Sequence, residues 1–272
     1  MRSARLSTPD FSRNVLFQWL EETSSRFNQP SFIPDDPISI PHRYVSKEDI
    51  EIAGLFSALL AWGRRSTIIQ KAGQLMDLMG DSPHDFIVNH AEKDRRRFMA
   101  FRHRTFQPDD ILFLLPVLQD YYRTHTSLEE VFAFGQNSSD RSAYHGLTSF
   151  YNMVFGRPVV LERTRKHIAT PERHSACKRL NMYLRWMVRR DDNGVDFGIW
   201  RNIDPANLII PLDIHVGNVA RRLGLLQRST NDWNAAIVLT DQLKEFDSAD
   251  PVKYDFALFG AGVLGTENIS FT

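Results

Sequence analysis

Lys178 and Asp213 are the residues best equipped for chemistry in this chain. Lys178 opens a helix-like run that continues to Arg190, and Asp213 lies in Ile210-Pro211-Leu212-Asp213-Ile214-His215-Val216, just ahead of a second helical pattern. An amine and a carboxylate at successive helix starts suit attack on a carbon that carries developing positive charge. The amine is the nucleophile; the carboxylate steadies the cation and moves protons. In the first turn of a helix, with Arg179 beside it, the amine meets the dipole and a like charge, and both oppose protonation. Both residues sit in the most basic part of the chain, which points to an electrophile in a nucleic acid. Each also has a plainer reading, as a surface lysine and as an N-cap. The two roles of Asp213 are compatible, because capping holds a carboxylate still.

The elements that must position this pair read as helices. Ser46-Lys47-Glu48-Asp49 resembles a capping sequence ahead of a helix from Ile50 to Leu60, which Trp62-Gly63 ends. Ser66 or Thr67 begins the next helix, to Met79-Gly80. Pro108-Asp109-Asp110 opens one through Tyr122, with a kink expected at Pro116. Ser127-Leu128-Glu129-Glu130 is a capping box ahead of Val131 to Phe134. A loop from Gly135 to Asp140 precedes a helix from Arg141 to Phe155. Gly224 stands where a left-handed C-cap belongs after the helix that Asp213 opens. Thr230 or Asp232 starts a helix to Phe246, and Asp250-Pro251 starts the last one. An N-terminal helix, about Phe11 to Phe27, is followed by a proline-spaced extended connector. Pro158 to Leu161 and Ile209-Ile210 are short, isolated strand candidates. The fold class expected is all-α.

Composition narrows the function classes. The chain has 272 residues, 42% hydrophobic and 24% charged, ordinary values for a globular protein. It contains no apolar run of about 18 residues, so no membrane partner is expected. The first residues lead into no signal-like apolar core, and the expected location is cytoplasmic. A single cysteine, Cys177, excludes an intrachain disulfide framework and a four-thiolate metal cluster. No metal-binding spacing and no phosphate-binding glycine loop is present, so no cofactor is expected. The 33 basic and 33 acidic residues balance, but not locally. Between Arg157 and Arg190 ten basic residues face only Glu162 and Glu172. Such a stretch is either a phosphate-contacting patch or a solvated helix face. The same choice stands for a second basic run, Arg95-Arg96-Arg97 and Arg102-His103-Arg104, interleaved with Phe98, Phe101 and Phe106.

A basic-helix lysine, an intervening segment and then Pro211-Leu212-Asp213-Ile214-His215-Val216 resemble the helix-hairpin-helix DNA glycosylase superfamily, nearest its archaeal 8-oxoguanine glycosylase branch. The stretches that begin Lys178-Arg179-Leu180-Asn181 and Asp250-Pro251-Val252-Lys253 also resemble a bacterial family of unassigned function. The glycosylase resemblance implies a two-lobed helical fold with a cleft between its lobes. Residues 46–195 would form one lobe, and residues 196–272 the other, joined by the N-terminal segment 1–45. It implies that Lys178 attacks the sugar C1′ and that Asp213 stabilises the charge. Trp62, Ser57 and His215 would then line the substrate site, while Ser175, Arg179 and Arg185 would lie along the nucleic-acid backbone. Trp62 is read either as a stacking platform for an extruded base or as a core residue. The implied activity is base excision, most of all of 8-oxoguanine, with lyase cleavage of the abasic site, by a monomer acting on double-stranded DNA with a damaged base. A non-catalytic nucleic-acid-binding module and an enzyme acting on RNA or modified nucleotides are the alternatives. The superfamily's hairpin places two glycines just before the lysine; here His174-Ser175-Ala176-Cys177 contains none.

Overall fold

A computed structural model describes residues 12–80, 82–133 and 143–264. Among these residues the protein is all-α and contains no strand, only isolated bridges between His103 and Phe106 and between Ser175 and Asp232. The helices are α1 (Arg13–Phe27), α2 (Lys47–Leu60), α3 (Arg65–Met79), α4 (Pro83–Asn89), α5 (Pro108–Tyr122), α6 (Glu129–Ala133), α7 (Ala143–Phe155), α8 (Lys178–Val188), α9 (Ile214–Arg222), α10 (Trp233–Lys244) and α11 (Asp255–Leu264). The expected loop from Gly135 to Asp140 lies outside the described residues.

Local chemistry sets most of the boundaries. The Ser12, Ser46, Asp213 and Asp232 side chains each accept a hydrogen bond from an N–H three residues on, which satisfies an otherwise orphaned donor of the first turn. Gly80 closes α3 in the left-handed conformation, and Gly224 adopts the same conformation beyond α9. The expected extended connector is instead a chain of 3-10 turns, Pro30–Asp35, Pro37–Ser39 and Pro41–Arg43. Each opens on a proline, whose fixed φ and missing N–H suit a first helical position. The last helix is also two-part: a 3-10 turn, Pro251–Tyr254, precedes α11.

Packing gathers distant segments. The N-terminal helix α1 lies on α11, and α11 lies on α9. α2 packs on α8, α3 and α4, and α4 on α5. A continuous apolar core runs through these elements, from Leu16 to Ala261. The fully buried Glu51 of α2 accepts hydrogen bonds from Tyr122, the Leu128 N–H and the Trp200 indole, besides one from the Ser127 hydroxyl. Four donors around one carboxylate offset its desolvation and lock α2 to α5, to the start of α6 and to the loop after α8.

Candidate functional site

Lys178 and Asp213 meet. The Lys178 Nζ lies 3.8 Å from Asp213 Oδ2, and both side chains remain partly exposed. They line one cleft of about 580 Å³ together with Trp62, Arg179, Met182, His215 and Phe259. Asp213 caps α9 through the Val216 N–H at 2.9 Å, so its second oxygen faces the amine from a fixed carboxylate. Its backbone carbonyl is held by Asn231 Nδ2 at 2.9 Å.

The start of α8 is built without glycine. His174 and Cys177 take up left-handed conformations at φ 57° and 49°. For non-glycine residues this conformation costs about 1–3 kcal/mol each. Local bonds oppose the strain. Asn181 Nδ2 donates to the Ala176 carbonyl, the Trp233 N–H donates to that of His174, and the Cys177 N–H donates to Ser175 Oγ. The arm that leads into the turn differs from a helix-hairpin-helix pattern. It consists of 3-10 turns, Glu162–His167 and Pro171–Arg173, rather than an α-helix. Burial pushes the Cys177 thiol up to about 12, which removes it as a thiolate nucleophile.

Trp62 follows the C-terminus of α2 and borders the same cleft, half-buried. Its ring is braced by the Arg104 guanidinium at 5.3 Å and by the edge of His103 at 5.9 Å. Gly63 is needed here for its φ of 108°, a conformation that side-chain-bearing residues rarely adopt. His215, exposed in the first turn of α9, stands on the opposite element of the cleft.

Three expected contacts are corrected. Arg185 is buried, paired with Asp196 at 3.2 Å and Asp255 at 2.5 Å, and lies over the Phe256 ring, so it reaches no phosphate. Ser57 is sealed inside α2 with 0% exposure and does not line the cleft. Arg179 does line it, but its guanidinium donates to the carbonyls of Leu59 and His167. Burial lowers its pKa to about 10, as expected for a cation held by carbonyls rather than by carboxylates. Its role is positional: it ties the start of α8 to the end of α2, so Lys178 and Trp62 share a wall. Ser175 is half-buried in the turn, its hydroxyl engaged with the Cys177 N–H.

Other residues of the site gave no sequence signal. Asp36, from the proline-rich connector, lines the cleft beside Arg65. Burial raises its pKa, opposed by the Ile38 N–H and by Arg185, Arg65 and Lys178. Arg65 lies 4.7 Å above the Phe259 ring, and Lys178 lies 6.0 Å from the same ring. Asp255, at the start of α11, feels the pair directly. Burial pushes it up to about 6; Arg185 and Lys178 oppose the rise, and the Asp213 carboxylate adds to it.

The wall behind Trp62 hangs on Asp110. This buried carboxylate accepts from Arg163, Thr164 and the Gln107 N–H, each at 2.7 Å, with His167 Nε2 at 3.4 Å. Burial raises its pKa, but the His167 imidazole beside it and the bonds from the Gln107 N–H and Thr164 outweigh burial and hold the carboxyl at about 2. A depressed carboxyl stabilises the fold above its unfolded pKa, and that stability is lost as pH falls through about 2. Asp110→Asn should therefore cost about 2 kcal/mol at pH 7, and the difference from wild type should shrink between pH 4 and pH 2. Urea unfolding across that range checks it; a difference that does not change with pH would deny Asp110 the role.

Among the described residues no cluster of ligand side chains is arranged to hold a metal ion, and no helix is long and apolar enough to cross a membrane. No curated protein and no solved structure matches the chain. A family model does match, over residues 36–264, and this span takes in the cleft from Asp36 to Val263. The chain belongs to the family described as Protein of unknown function (DUF2400).

Proposed function

We propose that this protein is a DNA glycosylase with lyase activity, which removes a damaged base, 8-oxoguanine first among the candidates, from double-stranded DNA. The observation that carries the reading is the Lys178–Asp213 pair, 3.8 Å apart in a cleft with an aromatic wall. About 580 Å³ is within the usual range for a small-molecule site and accommodates one extruded nucleotide. In this reading α2, α3 and α8 flank the cleft on one side, and α9 and α11 with α1 on the other. The packing of α1 on α11, and of α11 on α9, supports that division.

The chemistry follows from the pair. The Lys178 amine attacks C1′ while the bond from C1′ to the base breaks, and the departing base takes the electron pair and a proton. Asp213 opposes the positive charge that builds on the sugar and accepts the proton that the attached amine sheds. Opening of the sugar ring gives a Schiff base, and loss of a C2′ proton expels the 3′ phosphate. Borohydride reduction of a Schiff base on a panel of lesion-bearing duplexes tests the reading; no adduct with any of them would remove it.

Trp62 supplies the platform on which the extruded base stacks. Base–aromatic stacking contributes about 1–3 kcal/mol. Trp62→Ala should weaken binding of a lesion duplex by that amount and leave binding of an undamaged duplex nearly unchanged. Equal losses on the two duplexes, measured by titration at one salt concentration, would make Trp62 a packing residue.

A further inference from the structure

A second cavity, of about 570 Å³, is lined by Lys93, Arg95, Arg96 and Glu92, with Met99 and Leu112 as its apolar part. It is built from the 3-10 segment Glu92–Phe98 and one side of α5, apart from the residues of the reaction cleft. The neighbouring Arg97 is committed: it donates to the carbonyls of Leu78 and Asp94 and lies over the Phe86 ring. The three cations of the cavity have no such partner. No carboxylate pairs with Lys93, Arg95 or Arg96 among the described residues, and the Arg95 Nε is buried without an acceptor. Three cations against the single carboxylate of Glu92 leave a net positive charge that favours a phosphate or another anion. Arginine's planar fork fits the oxygens of a phosphate.

We infer that Lys93, Arg95 and Arg96 form a phosphate-binding cavity that holds the backbone of a DNA duplex away from the reaction cleft. Connectivity limits its distance from the cleft. The chain runs from Arg96 to Arg104, whose guanidinium lies over Trp62 at the cleft. Eight residues span at most about 29 Å. Phosphates of one strand are spaced about 3.4 Å apart along the duplex axis, so the cavity lies within about eight phosphates of a nucleotide held at Trp62. The choice of duplex DNA as the polymer rests on the glycosylase reading; the charge and the unpaired guanidiniums do not.

The test measures binding without chemistry. The full chain is titrated with an undamaged duplex of about three helical turns, and the slope of log affinity against log salt is compared among variants. Lys93→Gln/Arg95→Gln/Arg96→Gln should flatten the slope by about 2.7 and lower affinity more than ten-fold near 0.1 M salt. Arg96→Gln alone should flatten it by about 0.9. A charge-matched control, Arg123→Gln/Arg228→Gln/Lys244→Gln, should leave the slope near that of wild type. An unchanged slope in the first triple variant, or an equal change in the control, overturns the proposal. So does a free-anion result, in which inorganic tripolyphosphate binds wild type and not the triple variant while the duplex slope stays the same. The cleft reading fails separately. If no lesion duplex gives a borohydride adduct but the slope still falls, the cavity stands without the glycosylase.

Discussion

If the proposed lyase chemistry holds, Lys178→Gln should abolish the borohydride-trapped adduct on a lesion duplex while leaving affinity for DNA within a few-fold of wild type. In the proposed reaction the amine bonds to the sugar, and glutamine keeps the polarity and most of the length of the side chain without a nucleophilic nitrogen. Only one cation is lost, so the salt dependence of binding should flatten by no more than about 0.9. Asp213→Asn provides the contrast. Asparagine caps a helix nearly as well as aspartate, so α9 and the thermal midpoint should be preserved. The charge facing Lys178 at 3.8 Å is nevertheless gone, and single-turnover excision should slow about 100-fold or more, the scale seen when one electrostatic stabiliser is removed. An adduct that survives in Lys178→Gln would place the nucleophile elsewhere. Full activity in Asp213→Asn would reduce Asp213 to a cap.

Arg185→Ala should be among the most destabilising substitutions in the chain. Arg185 is 3% exposed and holds Asp196 and Asp255, both buried. Truncation leaves Asp255 in the interior without its cation and Asp196 with Arg189 alone, and breaking such a buried pair typically costs about 3–5 kcal/mol. For a chain of this size that lowers the thermal midpoint by about 6–20 °C. The loss should depend on pH with a definite sign. Asp255 titrates at about 6 in the folded protein, above its ordinary 3.8, because burial disfavours its charge. Its ionisation therefore counts against the fold increasingly as pH rises from about 4 through 6. Without Arg185 that cost grows, so the variant should be closer to wild type at pH 5 than at pH 7.5. Urea unfolding at the two pH values measures it. A variant as stable as wild type that binds DNA weakly would return Arg185 to the phosphate-contacting role expected from sequence.

Three cations of α8 show where sequence reasoning stops. Lys178, Arg179 and Arg185 belong to one basic run, and nothing local separates them. In the folded chain the first faces a carboxylate across a cleft, the second holds two carbonyls, and the third is buried between two aspartates. A basic run reads as a solvated or phosphate-facing surface when one side of its helix is free. Every residue of α8 from Leu180 to Val188 is buried, so the helix has no free polar face along that length. The carboxylates that receive Arg185 come from the loop after α8 and from α11, at separations that periodicity does not encode.

The sequence by itself determined the all-α class, most helix starts and stops, and the identity of the amine–carboxylate pair. These are short-range matters: a Ser or Asp side chain reaches an N–H three residues on, and a glycine supplies a left-handed turn within its own residue. Tertiary structure alone decided that Asp36, Arg65 and Phe259 join Lys178 in one cleft, and that Ser57 does not. It also decided that His174 and Cys177 adopt the left-handed turns for which glycine is the usual choice. The bonds that hold those turns come from Asn181 on the following helix and from the backbone of Trp233 on α10. Burial and Coulomb interaction depend on distance in space, and the chain brings these groups together only when α1, α9 and α11 close against one another.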